Sequence, residues 1–190
     1  MTPTPPELLT DRSFRPASAI DAEVPNEFGV YGIRLRTGSS LPEPFATHLA
    51  SRRTRLIYIG RATSLSKRML GNELRSRGHG TFFRSIGAVL GYRPPVGSLV
   101  GKSNKYNFSF VADDRARIVT WINDHLEVSW ATLPQADVRA TEKGLILEHT
   151  PLLNLESNPA ALAELDALRI ECRSIAAGMS SGTTEGLGDS

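Results

Sequence analysis

The sequence has a single cysteine and no long hydrophobic run. Because Cys172 stands alone among 190 residues, an intrachain disulfide and a cysteine-rich zinc site are both excluded. Apolar stretches extend over only a few residues, far short of the ~20 that a membrane helix needs. The N-terminal segment also lacks the basic start and apolar run of a secretory signal. We therefore expect a protein of the reducing cytoplasm with no membrane partner.

The composition shows no extreme bias. With 190 residues, 40% hydrophobic and 22% charged, the chain fits one soluble globular domain rather than a collagen-like, coiled-coil or wholly disordered protein. Local composition then divides the chain into three regions. Residues 1–26 are rich in proline and predict a partly ordered arm, residues 27–177 form the domain, and residues 178–190 predict a disordered tail.

Acidic residues are almost absent from the middle of the chain. Between Ser51 and Lys105 there are 12 Lys and Arg but one acid, Glu73, which gives this block a net charge of +11. The remaining segments contain 10 basic and 19 acidic residues, a balance of −9. Such segregation indicates a surface that binds polyanions, phosphate backbones above all. The alternative is a solvated basic face without a partner.

Local sequence patterns predict few strands and more numerous helices. Strands are indicated by β-branched and aromatic residues over 28–35, 55–60, 106–111 and 128–133. Helices are indicated by apolar spacing and capping residues over 45–52, 64–77, 81–90, 113–126, 141–149 and 160–177. This mixture is typical of the α+β class.

Tyr31 and Tyr58 lie in the first two predicted strands. Because strand residues alternate faces, the two tyrosines lie on one face and within reach of each other if these strands pair. Gly29, Gly32 and Gly60 thin the sheet there and leave room for a bulky ligand near the backbone. The alternative is that both tyrosines are ordinary half-buried aromatic residues of a strand.

The helix predicted after Gly60 carries a polar stripe. Arg68, Asn72 and Arg75 stand at i, i+4 and i+7, which places them on one face of an α-helix. A guanidinium fixed there is suited to hold phosphate oxygens, because its planar fork matches them. Simple surface solubility is the alternative.

One carboxylate of a later predicted helix points towards the core. Glu142 shares a stripe with Leu145 and Ile146, whereas Glu148 points away from it. Near a helix N-terminus an inward carboxylate complements the helix dipole. It is equally suited to bind a hard divalent cation, and the sequence alone does not choose between the two roles.

Together these residues resemble the GIY-YIG nuclease superfamily. The resemblance covers residues 28–156 and depends on motifs in the expected order and spacing. These are Gly29-Val30-Tyr31, Tyr58-Ile59-Gly60, then Arg61, Arg68 and the pattern Glu142, Leu145-Ile146, Pro151, Asn154.

The resemblance implies a small three-stranded antiparallel sheet flanked by helices, and a metal-dependent endonuclease that hydrolyses DNA. Tyr31 would act as general base or orient the water, and Tyr58 would hydrogen-bond the nucleophile or the phosphate. Arg68 would stabilise charge in the transition state. Glu142 would bind one divalent metal ion, Mg²⁺ or Mn²⁺, and Asn154 would position the metal site or the strand of Tyr31.

The chain departs from the family pattern in three places. Between Tyr31 and Tyr58 lie 26 residues, a long spacing that is similar to the restriction endonucleases of the superfamily. Asn72 stands where some members have a histidine, and His79 is the candidate for that imidazole. Residues 79–111 match no part of the minimal family core, so we interpret them as a basic insertion that shapes substrate choice. The residues expected to contact DNA are Arg61, Lys67, Asn72, Arg75, His79 and Arg84.

Two other functions are compatible with the sequence. One is a catalytically inactive DNA-binding or adaptor module derived from a nuclease, although the complete set of Tyr31, Arg68 and Glu142 argues against it. The other is an unrelated basic adaptor. If the chain is a nuclease, target recognition comes from the insertion or from a homodimer on DNA, and a two-fold symmetric target favours the homodimer. Restriction, repair and mobile-element homing are all compatible roles.

Overall fold

The computed structural model describes residues 7–179, and a four-stranded sheet with entirely antiparallel pairing lies at its centre. The strands are β1 Arg15–Pro16, β2 Gly29–Leu35, β3 Leu56–Ala62 and β4 Leu126–Thr132. Their order across the sheet is β1-β4-β2-β3, so β2 lies between β4 and β3, and β3 forms one edge.

Five α-helices and a π-helix surround this sheet in the described part of the chain. They are α1 Phe45–Ser51, the π-helix Ser66–Leu74, α2 Thr81–Val89, α3 Ala112–His125, α4 Gln135–His149 and α5 Ala163–Ala176. The predicted α+β class is confirmed. None of the helices within residues 7–179 has the length and apolar character required to cross a bilayer.

The sheet differs from the predicted three strands by one addition. Arg15 and Pro16 pair with Val128 and Glu127 and form β1, a strand of two residues. A pairing of two residues leaves no alternating pattern in the sequence, and it depends on a partner more than a hundred positions away. The middle of the predicted arm is therefore part of the sheet, and Leu8 in the same segment is fully buried. Residues 1–6 and 180–190, which include most of the predicted tail, lie outside the described residues.

The strand predicted over residues 106–111 is wrong, because this segment has no strand structure. Alternation places Phe108 and Phe110 on one side, and both are buried. That side packs against α2 rather than beside another strand. A Cβ atom at Gly87 of α2 would lie 2.5 Å from the Phe110 ring, so the glycine permits this close approach. The alternating pattern thus reflects packing against a helix.

Both faces of the sheet are covered. Tyr31, Ile33 and Trp130 lie on the face that packs into the main core, together with residues of the π-helix, α2, α3 and α5. The opposite face, which includes Val30 and Ile59, packs against α4 and the N-terminal segment. As a result, β2 is buried along nearly its whole length, which holds the central strand of the site in place.

Helix α4 begins at Gln135, earlier than the predicted start at Thr141. Pro134 precedes the helix with a φ of −54°, and Asp137 lies in the first turn. The fixed φ of proline and an acid near the positive end of the helix dipole both favour a start at this point. Glu142 consequently lies in the middle of α4, beyond the reach of the dipole at the N-terminus.

Candidate active site

The two tyrosines lie on the same face of the sheet. In the pairing of β2 with β3, Tyr31 stands opposite Gly60 and Ile33 stands opposite Tyr58. The two rings are therefore diagonal neighbours, with centroids 6.2 Å apart. Tyr31 is fully buried and Tyr58 nearly so, and Tyr58 also packs against Phe82 of α2 at a centroid distance of 5.3 Å.

Gly60 provides the space in which the Tyr31 ring lies. A Cβ atom at this position would be 2.4 Å from Cζ of Tyr31 and 2.5 Å from its hydroxyl oxygen. Any larger residue at position 60 would push the phenol out of place. The last residue of the second tripeptide therefore determines where the hydroxyl group of the first one points.

Arg68 is held in a fixed orientation next to the tyrosines. Its Nη1 donates to the carbonyl oxygen of His79 at 3.2 Å, and its Nη2 donates to Oγ1 of Thr81 at 3.3 Å. Nη2 is also 3.0 Å from Oε1 of Glu73. Burial has the largest influence on the pKa of both Arg68 and Tyr31, and the two groups also shift each other's pKa, that of Tyr31 downwards and that of Arg68 upwards. About a third of the Arg68 side chain remains exposed, at 35%, so the guanidinium can still reach a ligand.

Glu73 is a site residue that sequence reasoning did not find. Its carboxylate is fully buried and accepts hydrogen bonds from the backbone N–H groups of Thr81 and Phe83, each at 3.1 Å, at the start of α2. Burial raises the pKa of Glu73, whereas Arg68 and the two amides act in the opposite direction. The available signal was a lone acid within the basic block, five positions after Arg68.

The π-helix explains why this pair was not expected. In an α-helix, residues five positions apart point about 140° away from each other. The i→i+5 bonding of a π-helix brings them to similar directions, so Arg68 and Glu73 can pair. The stripe predicted from α-helical spacing is broken for the same reason. Arg75 instead pairs with Asp21 and donates to Oδ1 of Asn123 at 3.0 Å.

Glu142 reaches the site from the helix on the opposite face of the sheet. Its Oε2 atom is 2.7 Å from Nε of Arg61, which follows Gly60 on β3. Burial raises the pKa of Glu142, Arg61 lowers it, and nearby Glu156 raises it again. Glu148 is 72% exposed, as the helical register predicts. Because β3 is the edge strand, Glu142 and the tyrosines meet around that edge rather than on one face.

Asn154 holds the strand that carries Tyr58. The backbone N–H of Ile59 donates to its Oδ1 at 2.9 Å, and its Nδ2 donates to the carbonyl oxygen of Ile59 at 2.8 Å. These backbone groups lie on the outer side of β3, where the sheet ends. The amide thus takes the place of a further strand. The interpretation that Asn154 holds the strand of Tyr31 is corrected, because both polar atoms of its amide bind β3.

One cavity of about 900 Å³ joins these groups. All five residues predicted to be catalytic line it, namely Tyr31, Tyr58, Arg68, Glu142 and Asn154. Of the predicted DNA contacts, Arg61 also lines it. Three further cations in the wall come from outside the basic block and were not predicted, namely Arg139, Lys143 and Arg169. No sequence pattern distinguishes them from other surface cations.

The other predicted DNA contacts lie away from the cavity wall. Lys67 and His79 are exposed, and Asn72 is half-buried against Gly78. Arg75 is mostly buried in its contacts with Asp21, Asn123 and the carbonyl oxygen of Ala17. Arg84 is only 8% exposed and lies 5.7 Å from the centroid of the Phe108 ring. Arg84 is therefore not on the surface at which we expected it.

Both phenols of the site stay protonated at neutral pH. Burial raises the pKa of Tyr31 well above its ordinary value, and the charge of Glu73 raises it further, while Arg68 opposes the change. Burial and Glu73 also raise the pKa of Tyr58. Each hydroxyl is thus a hydrogen-bond donor in this environment.

Comparison with family models supports the resemblance drawn from the motifs. The model of the GIY-YIG catalytic domain matches residues 29–171, which is 143 of the 190 residues. The match begins at the first tripeptide and extends past Asn154 into α5. No curated protein and no solved structure matched the chain. The matched range and the arrangement of its motif residues show that the chain belongs to the GIY-YIG family, whose catalytic domain is that of a nuclease.

Proposed function

We propose that this protein is a metal-dependent DNA endonuclease that hydrolyses a phosphodiester bond in the cavity described above. The proposal rests on the observation that four of the expected site residues converge on one cavity. Tyr31, Tyr58, Arg68 and Glu142 come from four different elements, and their side chains line one cavity. If each of these residues had only a structural role, there would be no reason for all four to line a cavity that also contains several cations.

Arg68 has the geometry of a group that stabilises the transition state. Its guanidinium is fixed by Glu73, Thr81 and the carbonyl oxygen of His79 before any substrate binds. A donor that is already oriented stabilises developing charge on phosphate oxygens without reorganisation during the reaction. We therefore assign Arg68 to the non-bridging oxygens of the attacked phosphate.

The donor set of the cavity fits a hard divalent cation. Glu142 and Glu156 both line it, and they are close enough for Glu156 to raise the pKa of Glu142. Carboxylate oxygens are the ligands that Mg²⁺ and Mn²⁺ prefer, and Mg²⁺ binds through one or two carboxylates while keeping several waters. Bound at Glu142, such an ion would supply Lewis-acid stabilisation of the phosphate and the leaving oxygen. Burial raises the pKa of Glu142, and the ion pair with Arg61 opposes this effect and favours the charged carboxylate.

We assign the tyrosines to orientation of the reacting groups. Because burial and Glu73 raise their pKa values, the neutral hydroxyl groups donate hydrogen bonds to the phosphate or to the attacking water. Of the two roles that the sequence left open for Tyr31, orientation of the water requires no loss of its proton. A general-base role would require added positive charge near the phenol.

A plasmid-nicking assay with and without Mg²⁺ or Mn²⁺ tests the proposal. We expect the parent protein to nick or linearise DNA only with the metal ion. Glu142→Gln keeps the shape of the side chain and removes its charge, so this variant should fold, bind DNA and not cleave it. Glu148→Gln is the matched control on the same helix and should cleave within a few-fold of the parent. DNA binding without cleavage by the parent, with either ion, would favour the inactive module instead.

A further inference from the structure

Helix α5 brings another arginine into the cavity. Arg169 lines the wall together with Tyr58 and Arg68, and it lies outside the motifs that define the family resemblance. It also lies outside the basic block of residues 51–105. The helix is firmly attached at this point, because Leu165 and Cys172 on either side of Arg169 are fully buried in the main core. The backbone position of Arg169 is therefore set by the fold.

The Arg169 guanidinium has no partner in the part of the chain that the structure describes. Neither a hydrogen bond nor an ion pair from this side chain is present among residues 7–179, although Arg93 and Arg68 each have a carboxylate oxygen at about 3 Å. Partial burial lowers the pKa of Arg169, and the adjacent charge of Arg173 acts in the same direction. The acids Asp166 and Glu73 act in the opposite direction, but neither forms an ion pair with Arg169. A cation that is partly removed from water without a directly bonded carboxylate is unfavourable, and an anion in the cavity would relieve this.

Three arginines share one buried carboxylate next to the tyrosines. The charge of Glu73 acts on the pKa of Arg68, Arg84 and Arg169, and the arginines Arg68 and Arg169 both lower the pKa of Arg84. Nη1 of Arg84 is buried without a hydrogen-bond partner in the described chain. With Glu73 ionised, the cluster retains an excess of two positive charges. Arg68 and Arg169 line the cavity, whereas Arg84 and Glu73 are buried outside its wall. An excess of positive charge beside a cavity favours an anion with more than one charged oxygen.

We propose that Arg169 is a second phosphate-binding arginine of this site, which donates to oxygens of the DNA phosphodiester beside Arg68. The inference rests on the proposed nuclease function and adds a residue to it. Hydrolysis adds water across the P–O bond and yields a phosphate monoester and a hydroxyl group, while negative charge accumulates on the non-bridging oxygens. Two planar guanidiniums in the same wall can donate hydrogen bonds to both non-bridging oxygens at once, which gives more contacts than a single arginine provides.

Arg169→Gln and its control Arg173→Gln test this role. Arg173 lies one turn later on α5, with its guanidinium 5.4 Å from the centroid of the Tyr106 ring and away from the cavity wall. The measurement is single-turnover cleavage of one duplex at saturating protein with Mg²⁺. We expect Arg169→Gln to lower the rate constant about 10²-fold, as is typical for loss of one such donor, and Arg173→Gln to change it by a few-fold at most.

A binding measurement in EDTA separates this inference from the nuclease proposal. The slope of log K against log salt should become shallower by about 1 in Arg169→Gln, because one phosphate contact is lost, and should stay unchanged in Arg173→Gln. If the parent cleaves but the two variants match in rate and in slope, the role of Arg169 is wrong and the nuclease proposal stands. If the parent does not cleave, the nuclease proposal fails, and the slope still decides whether Arg169 binds phosphate.

A thermal melt of each variant guards against a trivial loss of structure. If Arg169→Gln no longer unfolds cooperatively, Arg169→Lys replaces it, with Arg173→Lys as its control. Lysine keeps the charge but not the bidentate fork, so we expect a rate at least about 10-fold below that of its control. Equal rates in the two lysine variants would overturn the proposal.

Discussion

Among single residues, Glu73 has a role in the site that a count of charges does not reveal. As the lone acid among 12 cations it looked like an exception in a basic surface. In the structure it is fully buried and joins Arg68 to the first turn of α2 through two backbone amides. A buried carboxylate with this many partners is expensive to remove from water, and it is tolerated because each oxygen has a hydrogen bond. Its effect is to fix the guanidinium of Arg68.

Gly60→Ala should reduce the cleavage rate far more than its loss of folding stability can explain. The added Cβ would lie 2.4 Å from Cζ of Tyr31, so the phenol must move, and small displacements of a positioned group can reduce rates by about 10²-fold. Overpacking of this kind also destabilises a protein by about 1–3 kcal/mol. Single-turnover rates and urea unfolding of the variant measure the two effects.

Gly144→Ala is the matched control for this substitution. It lies on the exposed side of α4, where a Cβ atom would meet nothing within 4 Å. Alanine should therefore stabilise the helix by about 0.5–1 kcal/mol and leave cleavage unchanged. Normal turnover by Gly60→Ala would show that the position of the Tyr31 hydroxyl does not matter for the reaction.

At the scale of elements, local patterns predicted well where a strand or helix is defined by its own residues. The predicted strands 28–35, 55–60 and 128–133 correspond to β2, β3 and β4, and the helix at 81–90 corresponds to α2. Local patterns failed where contacts between residues distant in sequence determine the secondary structure. The strand β1 exists through its pairing with β4, and the helix after β3 is a π-helix in which Glu73 contacts both Arg68 and α2. Apolar spacing in the sequence does not report either constraint.

The segment that covers the edge of β3 accounts for the last motif residue. Besides the two hydrogen bonds of the Asn154 amide with Ile59, the N–H of Leu153 donates to the carbonyl oxygen of Ile57 at 2.7 Å. An edge strand would otherwise present unpaired backbone groups to this side. The motif spacing in the sequence identified Asn154. It did not identify Ile59 as its partner, because the Asn154 side chain and β3 come together only in the folded protein.

Asn154→Ala should therefore weaken the fold and not only the reaction. Two buried backbone groups of Ile59 would lose their partners, at about 1–3 kcal/mol each. We expect a loss of about 2–4 kcal/mol in urea unfolding, and reduced cleavage even at temperatures where the variant is folded. Asn26→Ala, at an exposed position, should change neither property measurably. A variant at position 154 with full stability and no activity would instead place this amide at the metal ion.

For the whole molecule, the charge count of the sequence overstates the surface that can bind DNA. Several arginines of the basic block are used within the protein. Arg52 donates to the carbonyl oxygens of Thr150 and Ala160, Arg93 pairs with Glu171, and Arg84 is buried. The cavity wall takes Arg61 and Arg68 from the block, and takes the rest of its cations, Arg139, Lys143 and Arg169, from α4 and α5. A polyanion-binding surface in residues 51–105 stays a prediction, and we expect the cations of α4 and α5 to contribute phosphate contacts as well.

The salt dependence of DNA binding should follow the cavity rather than the basic block. If the five cations of the wall each contact one phosphate, the slope of log K against log salt is about −4 to −5 between 50 and 200 mM. The double variant Arg139→Gln/Lys143→Gln should make this slope shallower by about 2. Lys102→Gln/Lys105→Gln removes the same charge from exposed positions of the block and should leave the slope within about 0.5 of the parent value. A larger change in the second double variant would show that DNA runs along the inserted segment instead of across the cavity.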